Sequence, residues 1–316
     1  MFRKKLSVKL LLLLLVFILC SCTAKGPETS DPSDTVSFCD AAGYDVSVKK
    51  GSLRAACLTG SFADAWALSG GVVVACADDG FDDFGISPDG VTNLGKTKSP
   101  DLEKLIASSP DFVIASVDTA ANVEMGDVLR EMGLTVIYFE VDCFDDYLYM
   151  LDICTDITER KDLYQKNGID VKKQIEKAKS DFFEKDIPDD EKTYLFLRAS
   201  AGYIRAKGSD GTILGEMLSD LGYKNIADSD SSLLENLSIE SILSSDPHYI
   251  FVVQAGDDTQ AVRENMNRLM SESPAWQNLS AVQENRLLYL DKRLFNLKPN
   301  SLWGVAYETL CSTLTQ

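Results

Sequence analysis

Histidine is almost missing from this chain of 316 residues: the one present, His248, lies between Pro247 and the apolar run YIFVV. A metal centre assembled from several imidazoles is therefore excluded, and His248 reads as a turn residue between a helix and a strand. No CxxC pair occurs, which removes zinc ribbons and dithiol redox motifs. There is no GxSxG nucleophile elbow and no GxGxxG fingerprint. A serine hydrolase and a dinucleotide fold are not encoded, and no nucleotide-phosphate loop is expected. Positive charge is also scarce, 31 Lys and Arg against 49 Asp and Glu, for a formal net charge of −18. Nucleic acids and anionic lipid surfaces are held by basic patches, so neither is an expected partner. The carboxylates do not suggest a glycosidase pair, because the Asp clusters at 78–83 and 142–146 read as solvated loops. No catalytic residue, metal site or resident cofactor is predicted, and the chain is not expected to be an enzyme.

What the chain does have begins at its N-terminus. Arg3, Lys4, Lys5 and Lys9 lead into an unbroken apolar run from Leu10 to Leu19. That run is shorter than the roughly 20 residues of a membrane-spanning helix and has the build of a signal peptide. It ends in Leu19-Cys20-Ser21-Cys22, which resembles the bacterial lipobox, with Cys22 as the thiol that takes the lipid. Residues 1–21 are thus expected to be removed. The acylated Cys22 then holds the protein on the extracytoplasmic face of the cell membrane, its one expected contact with lipid. An ordinary signal peptide or a signal anchor is the rival reading. Residues 22–37 read as a flexible tether, since TAKGPETSDPSDTVS offers almost no large apolar side chain to offset its ordering entropy. Export permits disulfides, but Cys57 and Cys76 fall in apolar strand-like runs. With Cys39, Cys143, Cys154 and Cys311 they read as core thiols sooner than as a disulfide framework, one bridge being left open.

From residue 53 onward, short apolar runs alternate with amphipathic stretches. Strands are predicted at 53–58, 71–77, 111–116 and 135–140, and helices at 62–68, 100–108 (capped by Ser99) and 123–132, with a loop at DDGFDDFGISPDG. Residues 156–187 make one long polar helix in which Ile169, Val171, Ile175, Ala178, Phe182 and Phe183 recur at helical spacing. Asn167-Gly168 is its weak point. The alternation then restarts, with strands at 193–197, 249–253 and 286–290 and helices at 212–221, 239–243, 261–270 and after Asn300. Such alternation means parallel βαβ units. The predicted architecture is α/β: two Rossmann-like lobes, 38–155 and 188–316, joined by one long helix at 156–187, with a ligand cleft between the lobes.

One block recurs in both lobes: a helix with an early Glu, a turn containing Pro, and an apolar strand. It reads SPDLEKLIASSPDFVIAS at 99–116 and LSIESILSSDPHYIFVV at 237–253. With CLTGSFADAWALSG (57–70), LGYKNIAD (221–228) and ENRLLYLDKRLFNLKPNSLWGVAYETL (284–310), this order of blocks resembles one class of ABC-transporter substrate-binding proteins. It is the periplasmic binding protein class with a single-helix linker, serving iron–siderophore, haem and cobalamin importers. The resemblance covers nearly the whole chain after the tether. It implies a monomer that captures a metal chelate, a ferric siderophore first and haem or a corrinoid as alternatives, and docks on the permease subunits. The early Glu of each repeat, Glu103 and Glu240, would meet Arg residues of the permease. A helix N-terminus favours a carboxylate in any case, so the paired repeat carries that reading.

In α/β lobes a ligand sits beyond the carboxyl ends of the strands. That rule places Ser61, Phe62, Phe81, Thr119, Arg198, Tyr203, Arg205, Phe295, Lys298 and Trp303 as candidate ligand contacts, with Lys207 and Arg293 as further cations nearby. Arginine suits carboxylate or catecholate oxygens, and the aromatic side chains offer flat walls. A class apart, an extracytoplasmic enzyme or a surface adhesin on the same body, remains the competing expectation.

Overall fold

The computed structural model describes residues 34–256 and 258–315. The expected signal peptide, Cys22 and the expected tether up to residue 33 lie outside the described residues. The end of the tether is corrected: Thr35–Cys39 is strand β1, paired with β2 (Asp45–Lys49) in a small two-stranded sheet. Val36, Phe38 and Val46 face the core in alternation, and Asp40 accepts a hydrogen bond from the Tyr138 backbone N–H at 3.1 Å. A composition window that averages residues 22–37 hides this period-two face.

The first large sheet holds β3 (Arg54–Cys57), β4 (Val72–Cys76), β5 (Thr92–Asn93), β6 (Phe112–Ser116) and β7 (Val136–Phe139) in the order β5-β4-β3-β6-β7, all parallel. Its strands are apolar on both sides, as parallel strands covered by helices must be. Cys57, Phe112, Ile114, Ile137 and Phe139 face inward, while Ala56, Leu58, Val113, Ala115 and Tyr138 pack outward under other helices. The second sheet holds β8 (Thr193–Ala199), β9 (Ile204–Lys207), β10 (Lys224–Asn225), β11 (Tyr249–Gln254) and β12 (Leu287–Leu290). The parallel order is β10-β8-β11-β12, and β9 folds back antiparallel on β8 with Arg198 opposite Arg205 and Phe196 opposite Lys207. The apolar alternation of the second lobe did not announce β9, because its four residues, IRAK, carry two cations.

The crossing between the sheets differs in detail from one helix. Phe144–Ile157 is a helix of the first lobe that ends at a left-handed Glu159. Lys161–Tyr164 then runs through a π-helical turn, Gln165–Ile169, into the helix Asp170–Phe183. The predicted weak point is this π turn. Gly168 lies against Leu148, where an added Cβ would come within 2.7 Å of the Leu148 Cδ1. The widened turn also frees the Asn167 carbonyl to accept from the Tyr147 hydroxyl at 3.0 Å. In the helix that follows, Val171, Ile175, Ala178 and Phe182 form the buried stripe, whereas Phe183 is exposed. The inward faces of both sheets, this helix and the C-terminal helix Trp303–Leu314 share one continuous apolar core. The six described cysteines are free thiols, and burial pushes Cys76 up to about 12.

The repeated block keeps its geometry in each lobe. The helix Leu102–Ala107 is capped by Asp101, not by Ser99, because the helical turn begins only at Leu102 and the extended Asp101 stands directly before it. Asp101 accepts from the Lys104 N–H at 3.0 Å; Ser238 does the same for Ser241 at 3.3 Å ahead of the helix Ile239–Ser245. Both helices are left through a residue of positive φ, Ser109 or Asp246, then a proline, then the second strand of the lobe's core pair, β6 or β11. A further correction concerns 78–90: Asp78–Asp82 is a short helix. Gly60 and Gly80 let its backbone lie directly on that of the helix Gly60–Leu68.

Candidate functional site

The carboxyl ends of the two parallel sheets border one cavity of about 410 Å³, within the range of small-molecule sites. Asp118, Glu140 and Asp142 reach it from beyond β6 and β7. From the second lobe come Phe196 and Arg198 of β8, the turn at Gly211 to Ile213, and Phe295, Asn296 and Lys298. Alternation along β8 explains the placement: Tyr194, Phe196 and Arg198 share the inward face while Leu195, Leu197 and Ala199 pack outward. Residues opposite each other in an antiparallel pair lie on the same face, so Arg205 and Lys207 stand beside Arg198.

Three cations on one face are a costly arrangement. Like charges directly opposite across a strand pair destabilise it, and Arg198 with Arg205 is such a pair. Arg198 donates to the Asn296 Oδ1, yet its buried Nε has no partner among the described residues. Burial pulls its guanidinium below the usual arginine value. Lys207 is likewise lowered, by burial first and then by Arg198 and Arg205. Tyr203 lies on Arg205, ring centroid to guanidinium 5.4 Å. The opposing carboxylates shift the other way: burial raises Asp142, and burial with the repulsion of Asp118, Asp142 and Asp146 raises Glu140.

The segment 291–300 crosses from the second lobe to the first. Lys292 pairs with Asp83 at 2.6 Å and Arg293 with Asp64 at 3.2 Å, and the Arg293 guanidinium lies 4.2 Å above the Phe84 ring. Lys298 stands 3.7 Å from both Asp118 and Asp142 and donates to the Val141 carbonyl. Asn300, held at positive φ, donates at 2.8 Å to the Ser61 carbonyl and to Asp64.

The candidates read from the sequence separate accordingly. Arg198, Phe295 and Lys298 line the cavity, with Tyr203 and Arg205 on the hairpin beside it. Phe62 and Trp303 pack in the core, 1% and 0% exposed, and do not line this cavity: Phe62 lies edge-on to Phe139, and Trp303 edge-on to Phe144. Ser61 is buried and serves Asn300 through its carbonyl. Phe81 is half-buried against the first-lobe core, and Thr119 precedes the helix Ala120–Glu131 without capping it. Arg293 is engaged in the lobe-to-lobe contact. Glu140 escaped sequence reading, and Asp142 was read as a solvated loop carboxylate, because nothing in a local pattern distinguishes a cleft carboxylate from a solvated one. His248 sits at the far end of β11, its backbone N–H bonded to the Thr193 hydroxyl at 3.0 Å, as a turn residue should.

The run Gly90 to Thr97, GVTNLGKT, has the GxxxxGK[ST] spacing of a phosphate loop, against the expectation of none. It folds as β5 and an Asn93-stabilised turn at Gly95, and the next helix of its chain segment begins only at Leu102. The helix N-terminus that gives such a loop its phosphate affinity is missing from this place.

A family model described as periplasmic binding protein matches residues 56–294. The chain belongs to the periplasmic binding protein family. That is a family of substrate-binding proteins acting outside the cytoplasm, not of enzymes. Among its relatives this periplasmic binding protein is 24% identical over 300 residues to the Fe(3+)-citrate-binding protein YfmC of Bacillus subtilis, covering 92% of this chain and 90% of that one. It is 22% identical over 220 residues to the putative ABC transporter substrate-binding lipoprotein YhfQ of the same organism, 66% of this chain and 65% of that one. Among solved structures it resembles the periplasmic haem-binding protein RhuT of Roseiflexus, at a TM-score of 0.67 and 18% identity, covering 84% of this chain and 98% of that one. These likenesses agree with the two-lobed α/β architecture.

Proposed function

We propose that this periplasmic binding protein is the lipid-anchored receptor of an ABC importer that captures a ferric chelate and hands it to the permease. The observation that carries the reading is Arg198 in the cavity, its buried Nε without a partner among the described residues and Arg205 and Lys207 beside it on the same sheet face, in a protein with net charge −18. An acidic chain that concentrates cations at a cleft, at a cost to its own hairpin, gains from an oxygen-rich ligand that spreads negative charge over several atoms. Fe(3+)-citrate, the ligand in the name of one relative, has that character. Haem or a corrinoid, as in the names of two structural neighbours, is the alternative ligand. Anchoring at Cys22 fits a receptor that must stay near its permease.

The mechanism is capture without bond making. The shared core behind the cleft limits opening to small hinge motions, and the Glu103 and Glu240 repeats present the loaded protein to the permease. The test is a thermal-shift and tryptophan-fluorescence titration with ferric citrate, ferric siderophores, haem and a corrinoid. A ferric chelate should raise the melting temperature, and Arg198→Ala should weaken it by at least about tenfold, the loss of a charge-assisted contact. Binding by haem alone would select the alternative, and no response to any of them would remove the import reading.

A further inference from the structure

The cavity has two walls of opposite sign that Lys298 neutralises only in part. On the first-lobe side stand Asp118, Glu140 and Asp142, with Lys298 as the one cation within 4.0 Å of any of them among the described residues. On the second-lobe side stand Arg198 and, on the same sheet face, Arg205 and Lys207. Among the described residues no ion pair joins the walls except through Lys298, and Arg198 turns to the neutral Asn296. The three carboxylates therefore keep an excess of negative charge in the cavity, and Arg198 faces them across it with Arg205 and Lys207 beside it on the same sheet face.

A ligand of a single sign would satisfy one wall and be repelled by the other. A chelate of uniform negative charge filling about 410 Å³ would bring its oxygens toward Asp118, Glu140 and Asp142 as surely as toward Arg198. Specificity commonly rests on such a repulsive element as well as an attractive one.

Resting on the import reading, we infer that the ligand is a chelate of two signs. Its oxygen-rich metal rim lies on Arg198, Arg205 and Lys207, and a protonated amine arm lies on Glu140, Asp142 and Asp118. Burial is the first cause of the raised proton affinity of Glu140 and Asp142, and neighbouring carboxylates add to it; Lys298 lowers both, and an ammonium on this wall would act in the same direction.

The experiment uses the full chain in detergent and three probes. They are the ferric complex of a linear trihydroxamate ending in a primary amine, the same complex with that amine acetylated, and a trianionic ferric tricatecholate. Affinities are read from fluorescence quenching. The amine complex should bind at least tenfold more tightly than the acetylated one and more tightly than the tricatecholate. In Glu140→Gln/Asp142→Asn that tenfold discrimination should vanish. Equal affinities for the amine and acetylated complexes overturn the inference, as does a tricatecholate that binds best. The wild-type comparison decides the matter even if the double variant folds poorly. If none of the three binds while haem or a corrinoid does, or if nothing binds, the import of a ferric chelate fails first and this inference with it.

Discussion

Asp64 shows how a single residue is read differently by sequence and by structure. In the run SFADAWAL it looks like an ordinary helical carboxylate, yet it is the first-lobe anchor for Arg293 and Asn300. Burial raises its carboxyl above the ordinary 3.8 despite the hydrogen bond from Asn300 and the charge of Arg293. A raised carboxyl favours the fold below its unfolded value and loses that advantage as pH climbs through the folded one. The melting temperature of the wild type relative to Asp64→Asn should therefore be highest near about pH 4 and decline toward about pH 7. Calorimetry at both ends checks it; a gap that widens with pH would mean that the Arg293 pair outweighs burial. The Arg198 prediction belongs to the same scale, since one guanidinium with an idle Nε marks the cleft.

Among the elements, the two short helices of the first lobe meet backbone to backbone. A Cβ at Gly60 would stand 2.4 Å from the Gly80 nitrogen, and Asp79 accepts from the Gly60 N–H at 2.9 Å. Backbone cannot swing aside as a long side chain can. Gly60→Ala should cost about 1–3 kcal/mol in a denaturant melt, the usual toll of overpacking, whereas Gly304→Ala meets only the flexible Gln174 and should cost less. Most of the longer helices and most strands of both sheets were legible from apolar period and turn residues; the helix Phe144–Ile157 was not, its first-turn Asp145 and Asp146 having read as part of a solvated loop. The helix Asp78–Asp82 was not, because five residues with three Asp carry no helical stripe and owe their shape to packing against Gly60. Strand β9 was hidden for a similar reason, its cations being placed for the cleft and not for the core.

Over the whole molecule, the repeat matters most. Glu103 and Glu240 occupy the same second position of equivalent helices, both exposed, and neither has an ion-pair partner among the described residues. If they serve a partner, charge reversal at both, Glu103→Arg with Glu240→Arg, should abolish chelate uptake by cells while leaving affinity in solution within about twofold, since rim charges act on association with their partner. Lost affinity for the chelate would instead place them at the cleft, and unchanged uptake would leave them as helix-end charges.

The chain's own order of residues determined the lobes, the repeated helix–proline–strand block and the lipobox-like start. Each of these rests on local rules: the two-residue period of strands, the helical stripe, and the propensity of Pro, Asp and Ser at turns and caps. Which charges meet in the cleft was decided only in three dimensions. Arg198, Glu140 and Lys298 are separated by many tens of residues in the chain, and only the stacking of two parallel sheets end to end makes them neighbours around one cavity.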